Sequence, residues 1–145
     1  MKINTTRFGT IRIEKEKIIY MPYGMLGFSD QKQYLILQHQ KNSPFFWYQS
    51  VNDSGLAFVI TSPFLFMPEY KIDFKSVLTE MSWDTNVKDN FLELFIVVNI
   101  PKGKPQQMTG NFIGPILINN NLNQAVQIVL SNGPYTHKYP LLKMK

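Results

Sequence analysis

The stretch Tyr34-Leu35-Ile36-Leu37-Gln38-His39, then Phe45-Phe46-Trp47-Tyr48-Gln49-Ser50, then Leu56-Ala57-Phe58-Val59-Ile60-Thr61 decides the fold class. Each run is about six residues of β-branched and aromatic side chains, the usual length of a strand. The polar break from Gln40 to Ser43 separates the first two, and Asn52-Asp53-Ser54-Gly55 separates the last two. Short β-forming runs divided by turn chemistry read as antiparallel sheet. Phe45 to Tyr48 are consecutive, and side chains alternate along a strand. Half of these aromatics therefore point into a core and half away from it.

Outward from this centre the pattern continues. Toward the N-terminus, Ile3 to Phe8 and the alternation around Ile11 and Ile13 form a hairpin turning near Gly9, and Ile18-Ile19-Tyr20 is a third short strand. Tyr23 to Phe28 carries two glycines among large apolar residues and reads as a loop folded back on the core. Ser29 or Asp30 is positioned to cap a single helical turn over Gln31 to Gln33. Toward the C-terminus, Phe74, Val77, Leu78 and Met81 fall at helical spacing behind Asp73, which predicts a short helix over 74–82. Phe91 to Ile100 is the most buried-looking strand, and Gln107 to Ile118 is another, with Gly110, Gly114 and Pro115 marking bulges. Ala125 to Leu130 and an extended tail complete the chain. The expectation is a mainly β fold: a single-domain antiparallel β-barrel-like structure over residues 1–145, of about nine short strands with one short helix.

Composition narrows the function. The 145 residues suit one domain and include no cysteine and two histidines, His39 and His137. Thiol nucleophiles, disulfide scaffolds and cysteine-bound metal are excluded, and neither histidine has ligand spacing to another metal-binding side chain. Asp53 and Glu69 lie beside turn residues and prolines, where acids are common for structural reasons. No phosphate-cradling loop follows Gly24 or Gly27, since no helix opens there with Lys-Ser or Lys-Thr. No catalytic residue, cofactor or metal is therefore expected. The longest apolar run, Leu94 to Val98, is far short of the ~20 residues of a membrane helix, and the N-terminus has no signal-like run. A soluble cytoplasmic protein with no membrane contact is the default.

The net charge of +5 sits in the last third: residues 94–145 hold Lys102, Lys104, Lys138, Lys143 and Lys145 and no acid. A small basic barrel with exposed aromatics binds single-stranded nucleic acid in OB-like folds, and the candidate stackers are Trp47, Tyr48, Tyr135 and Tyr139. Against that alternative stand only two arginines, Arg7 and Arg12, and the placement of these aromatics in core-forming runs. Arg7 is read as holding the N-terminal hairpin by an ion pair. In Ser62-Pro63-Phe64-Leu65-Phe66-Met67-Pro68-Glu69-Tyr70, two prolines bracket four large apolar residues. Such a segment is either a loop packed on the barrel or an apolar protein-binding surface able to receive an amphipathic helix. Phe64, Leu65 and Phe66 are the candidate partner-binding residues. Asn111 is a candidate for a buried or partner-facing hydrogen bond.

Taken in order, these motifs resemble the FliW family of flagellar assembly factors. The resemblance rests on Thr6-Arg7-Phe8-Gly9, Pro22 to Phe28, Pro44 to Phe58, Ser62 to Phe66 with Pro68 and Tyr70, Met108 to Phe112, Gly114 to Asn119, and the C-terminal Gln127 to Leu130 and Tyr135 to Leu141. It covers roughly residues 3 to 141, with Tyr23 and Ser62 departing from the family's usual Glu and Asn. The resemblance implies a non-enzymatic β-barrel, a monomer when free, that binds newly made flagellin in the cytoplasm near its C-terminal helical region. It also implies that the protein, once free of flagellin, binds the RNA-binding repressor CsrA and relieves its block on flagellin translation. Direct nucleic-acid binding is not part of that role. CsrA contact would fall on the neutral-to-acidic first two thirds, around Glu14, Glu16, Asp53, Glu69 and Asp73.

Overall fold

A strand whose residues are apolar on both faces must be covered twice, and this requirement organises the molecule. The computed structural model describes residues 1–38, 40–83, 91–130 and 133–142. Its strands are β1 (Lys2–Thr5), β2 (Gly9–Arg12), β3 (Ile19–Tyr20), β4 (Gln33–Gln38), β5 (Phe45–Ser50), β6 (Ala57–Thr61), β7 (Leu92–Asn99), β8 (Thr109–Gly110), β9 (Ile116–Asn119), β10 (Gln124–Gln127) and β11 (Tyr139–Pro140), with helix α1 (Lys75–Glu80) between β6 and β7. Strands β3 to β7 follow one another antiparallel. The ring then closes through β9, paired to β7 over Leu92–Phe95, and β10, paired to β9. Among the described residues the last seam, β3 to β10, is the one parallel pairing and holds a single register pair, Tyr20 with Gln124.

Inside the ring pack Ile19, Met21, Tyr34, Tyr48, Ile60, Phe95, Ile116, Ile118 and Ala125, with Phe46 and Phe58 beside them. The alternate residues of β7, β9 and β10 (Leu94, Ile96, Val98, Leu117 and Val126), with Ile128 just past β10, face outward. A second layer covers them with Met67, Tyr70, Val77, Leu78, Trp83 and Phe112. The β1–β2 hairpin covers β4 in turn, through Ile3, Leu35 and Val51 with Ile11, Ile13 and Leu37. The barrel thus wears two patches, one of strands and one carrying α1. The divided aromatic run is realised in β5: Phe46 and Tyr48 point inward, while Phe45 packs on the outer layer and Trp47 lies under the Arg7 guanidinium, 4.2 Å from the ring centroid.

The β-barrel class and the short helix stand, with eleven strands described rather than about nine. Three local readings change. No helical turn forms over Gln31–Gln33, because Gln33 opens β4 opposite Tyr20 and the Lys32 carbonyl accepts from the Met21 N–H, 2.7 Å. The single strand expected over Gln107–Ile118 is two: β8 pairs with Val98 and Asn99, β9 with Leu92–Phe95, and the chain leaves the sheet between them. Asn111 makes that departure, since its Oδ1 accepts from the N–H of Ile113 and of Gly114, 3.1 and 3.0 Å. Arg7 meets an aromatic face rather than a carboxylate. His39, Lys143 and Lys145 lie outside the described residues.

Candidate functional site

Where β6 ends, Thr61 is buried and donates from Oγ1 to the Pro44 carbonyl, 2.8 Å. Ser62 then accepts the Phe64 N–H on its side-chain oxygen, 3.3 Å, and Pro63 opens a single 3-10 turn over Pro63–Leu65 with its backbone angle preset. The turn is closed by the Phe66 and Met67 N–H groups, both donating to the Pro63 carbonyl, 3.1 and 2.9 Å. Pro63 and Met67 are buried at either end, and the first two residues between them project. Phe64 is 46% and Leu65 60% exposed, whereas Phe66 turns back and stacks on Phe45 at 6.4 Å. Of the three apolar candidates, two form a shelf and the third anchors it.

The shelf stands on an aromatic ladder. Phe64 lies 6.3 Å from Tyr70, Tyr70 meets Phe112 edge-on at 5.0 Å and Tyr135 at 4.7 Å, and Phe112 meets Tyr139 at 4.9 Å. The Tyr70 hydroxyl donates to the Phe112 carbonyl, 2.6 Å, and the Tyr135 hydroxyl donates to the Lys71 carbonyl, 3.2 Å. Burial, with Tyr135 adding to it, raises the Tyr70 pKa, so the Tyr70 hydroxyl keeps its proton and its bond to Phe112 at physiological pH. Just past Tyr70, a groove of about 740 Å³ is lined by Lys71, Ile72, Asp73, Phe74, Lys75 and Leu78. Asn111 is half-buried elsewhere, on a cavity of about 260 Å³ with Val97, Asn99, Thr109, His137 and Lys138; the structure does not bring it together with Phe64 and Leu65.

Neither acid considered for catalysis has a catalytic setting. Asp53 Oδ1 accepts the Gly55 N–H in a turn, and Glu69 is exposed. Among the described residues no group of three His, Asp or Glu side chains could hold a metal ion, and no helix is long and apolar enough to cross a membrane. The four candidate base stackers are all engaged in the fold: Trp47 by Arg7, Tyr48 by Tyr34 at 4.5 Å, and Tyr135 and Tyr139 by the ladder. Sequence reasoning missed a second exposed apolar group, Tyr23, Leu26 and Val129, because its members are distant along the chain and meet only where the loop after β3 passes β10.

A closed ring of strands with an exposed aromatic-aliphatic shelf, mounted on an aromatic ladder, defines the class: a small β-barrel that presents an apolar surface. The sequence profile of the FliW protein family matches residues 2–141, so the chain belongs to the FliW family. Relatives called flagellar assembly factor FliW include that of Syntrophus aciditrophicus, 38% identical with 99% of this chain and 89% of the relative covered. That of Treponema denticola is also 38% identical, with 98% and 94% covered. A crystal structure of the flagellar assembly factor FliW superposes with a TM-score of 0.87 at 30% identity, covering 99% of this chain and 98% of that one.

Proposed function

We propose that this chain is a flagellar assembly factor that binds flagellin in the cytoplasm, near its C-terminal helical region, and when released antagonises CsrA. The observation that carries the flagellin half is the shelf of Phe64 and Leu65, held out of the core by the Ser62–Pro63 turn beside the groove of Ile72 and Phe74. An amphipathic helix laid on such a surface places its apolar face on the shelf and its polar face in water. The family membership supports the same reading. The lysine-rich last third is the feature that would favour nucleic acid, but the aromatics that would stack on bases are occupied within the fold.

Calorimetry against monomeric flagellin, intact and without its C-terminal helix, tests this directly. Binding to the intact form alone is expected, with weak salt dependence because the contact is apolar. Replacing Phe64 and Leu65 by Ala is expected to weaken it by roughly tenfold per side chain, the effect of removing about 1–2 kcal/mol of apolar contact each. Unchanged affinity in the double variant would remove the shelf from the interface. Steep loss of an RNA complex with salt, and no flagellin binding, would favour the nucleic-acid alternative.

A further inference from the structure

The barrel's final seam is short. Tyr20 pairs with Gln124 and its N–H donates to the Asn123 carbonyl, 2.9 Å, but beyond that point the chain turns away from β10. The next residue on that side, Pro22, has no N–H to give, and the chain turns there, the Gly24 N–H donating to the Met21 carbonyl, 3.0 Å. Along the other edge of β10 the pairing continues: the Ile128 and Leu130 N–H groups donate to the Pro115 and Ile113 carbonyls, both 2.8 Å. Main-chain groups alternate sides along a strand, so those of Gln127 and Val129 face the edge that β3 has left. Among the described residues only a side chain bridges there: Gln127 Oε1 accepts the Leu26 N–H, 2.7 Å, while its Nε2 donates to the Gly114 carbonyl, 3.0 Å. Beside this edge runs a groove of about 370 Å³ between α1 and β10, walled by Tyr23, Ser76, Val77 and Glu80. Leu26 at 72%, Val129 at 61% and Tyr23 at 56% rank with Leu65 as the most exposed large apolar residues described.

We propose that the Gln127–Val129 edge is a strand-addition site for an extended segment of a partner protein, one that alternates apolar and basic side chains. An unpaired strand edge is a template for another backbone, and its N–H and C=O groups set the partner's conformation. The groove beside Tyr23 and Val129 takes the apolar side chains, and the exposed carboxylate of Glu80 on its wall selects a basic neighbour. That charge also selects against a second copy of this chain, which would bring its own Glu80 to the junction. The site is distinct from the Phe64–Leu65 shelf and stands whether or not flagellin binds there.

The probe is the labelled peptide acetyl-Lys-Val-Lys-Val-Lys-Val-amide, titrated into the full-length protein by fluorescence anisotropy. Its counterpart N-methylated at alternate residues lacks the donors that a strand edge requires. Binding is expected for the first, at least about tenfold weaker for the second, and weakened as much by Val129→Pro, which removes an N–H that pairs with none of the described residues. Glu80→Lys is expected to reverse the preference toward an Asp-Val peptide. Amide exchange of Val129 in the unmodified protein supplies a readout that needs no variant to fold: fast alone and slowed by the peptide. Equal binding of the N-methylated peptide, no binding up to about 1 mM, or unslowed Val129 exchange would overturn the proposal. So would a concentration-dependent dimer abolished by Val129→Pro, which would give the edge to a second copy.

Discussion

Gly24 has φ of +65°, and a Cβ there would lie 2.6 Å from the Phe28 carbonyl oxygen and 2.8 Å from Ser29 Cα. Gly27 has φ of +86° but open space around it. Gly24→Ala should therefore cost at least about 2 kcal/mol, from backbone strain and overpacking together, and Gly27→Ala about 1 kcal/mol from strain alone. Urea titrations of the two variants measure the difference. A similar contrast holds among the buried tyrosines. Tyr70→Phe strips the Phe112 carbonyl of its donor and should cost about 1–3 kcal/mol. The Tyr34 and Tyr48 hydroxyls are buried without a hydrogen-bond partner among the described residues, so Phe at either position should be neutral or stabilising in the same assay. That glycines and aromatics matter in these segments was legible from composition. Which tyrosine hydroxyl is used was not, because Tyr70 and Phe112 are brought together only by the packing of the outer layer on β7.

At the scale of elements, β4 and β5 place Tyr34 and Tyr48 face to face inside the barrel. Burial raises the Tyr34 pKa to about 12, with Asp30 and Asp53 adding to it, and burial then Tyr34 raises that of Tyr48. A tyrosine that holds its proton more tightly in the fold than in the unfolded chain contributes fully below the unfolded value of 10.0. The contribution is lost as pH rises through the folded value. Thermal melts should be flat from about pH 7 to 9 and fall above about pH 10, less steeply in Tyr34→Phe. Strands β4 to β7 were legible because each is a dense β-forming run bounded by turn residues. The 107–118 segment was not: Gly110, Gly114 and Pro115 mark interruption equally well in a bulged strand and in two separate ones. Asn111 decides, by drawing the Ile113 and Gly114 N–H groups out of the ladder. The Gln31–Gln33 turn failed for a related reason: a local cap competes with pairing to β3 and β5, and the pairing wins.

Across the whole molecule, function under the proposed reading is a matter of linked equilibria. If flagellin and CsrA oppose each other on this protein, each must weaken the other by the same factor, whether the surfaces overlap or are coupled. Titrating flagellin into the CsrA complex and CsrA into the flagellin complex should return equal affinity ratios, and charge reversal at Glu14, Glu16, Asp53, Glu69 and Asp73 should weaken only the CsrA side. Unequal ratios would mean that the scheme lacks a ternary or oligomeric species. The sequence by itself determined the β-barrel class, the family, most strands, the helix and the break in the sheet at Pro63, because these depend on periodicity, turn chemistry and short motifs contained in a few neighbouring residues. Only the tertiary structure decided that β7, β9 and β10 close the ring, that α1 and the N-terminal hairpin cover its outside, and that Arg7 rests on Trp47. It alone decided which apolar residues are left outside. Burial belongs to pairs of surfaces far apart in the chain: Phe66 and Leu65 are adjacent in sequence, and only the position of Phe45 makes one an anchor and the other a shelf.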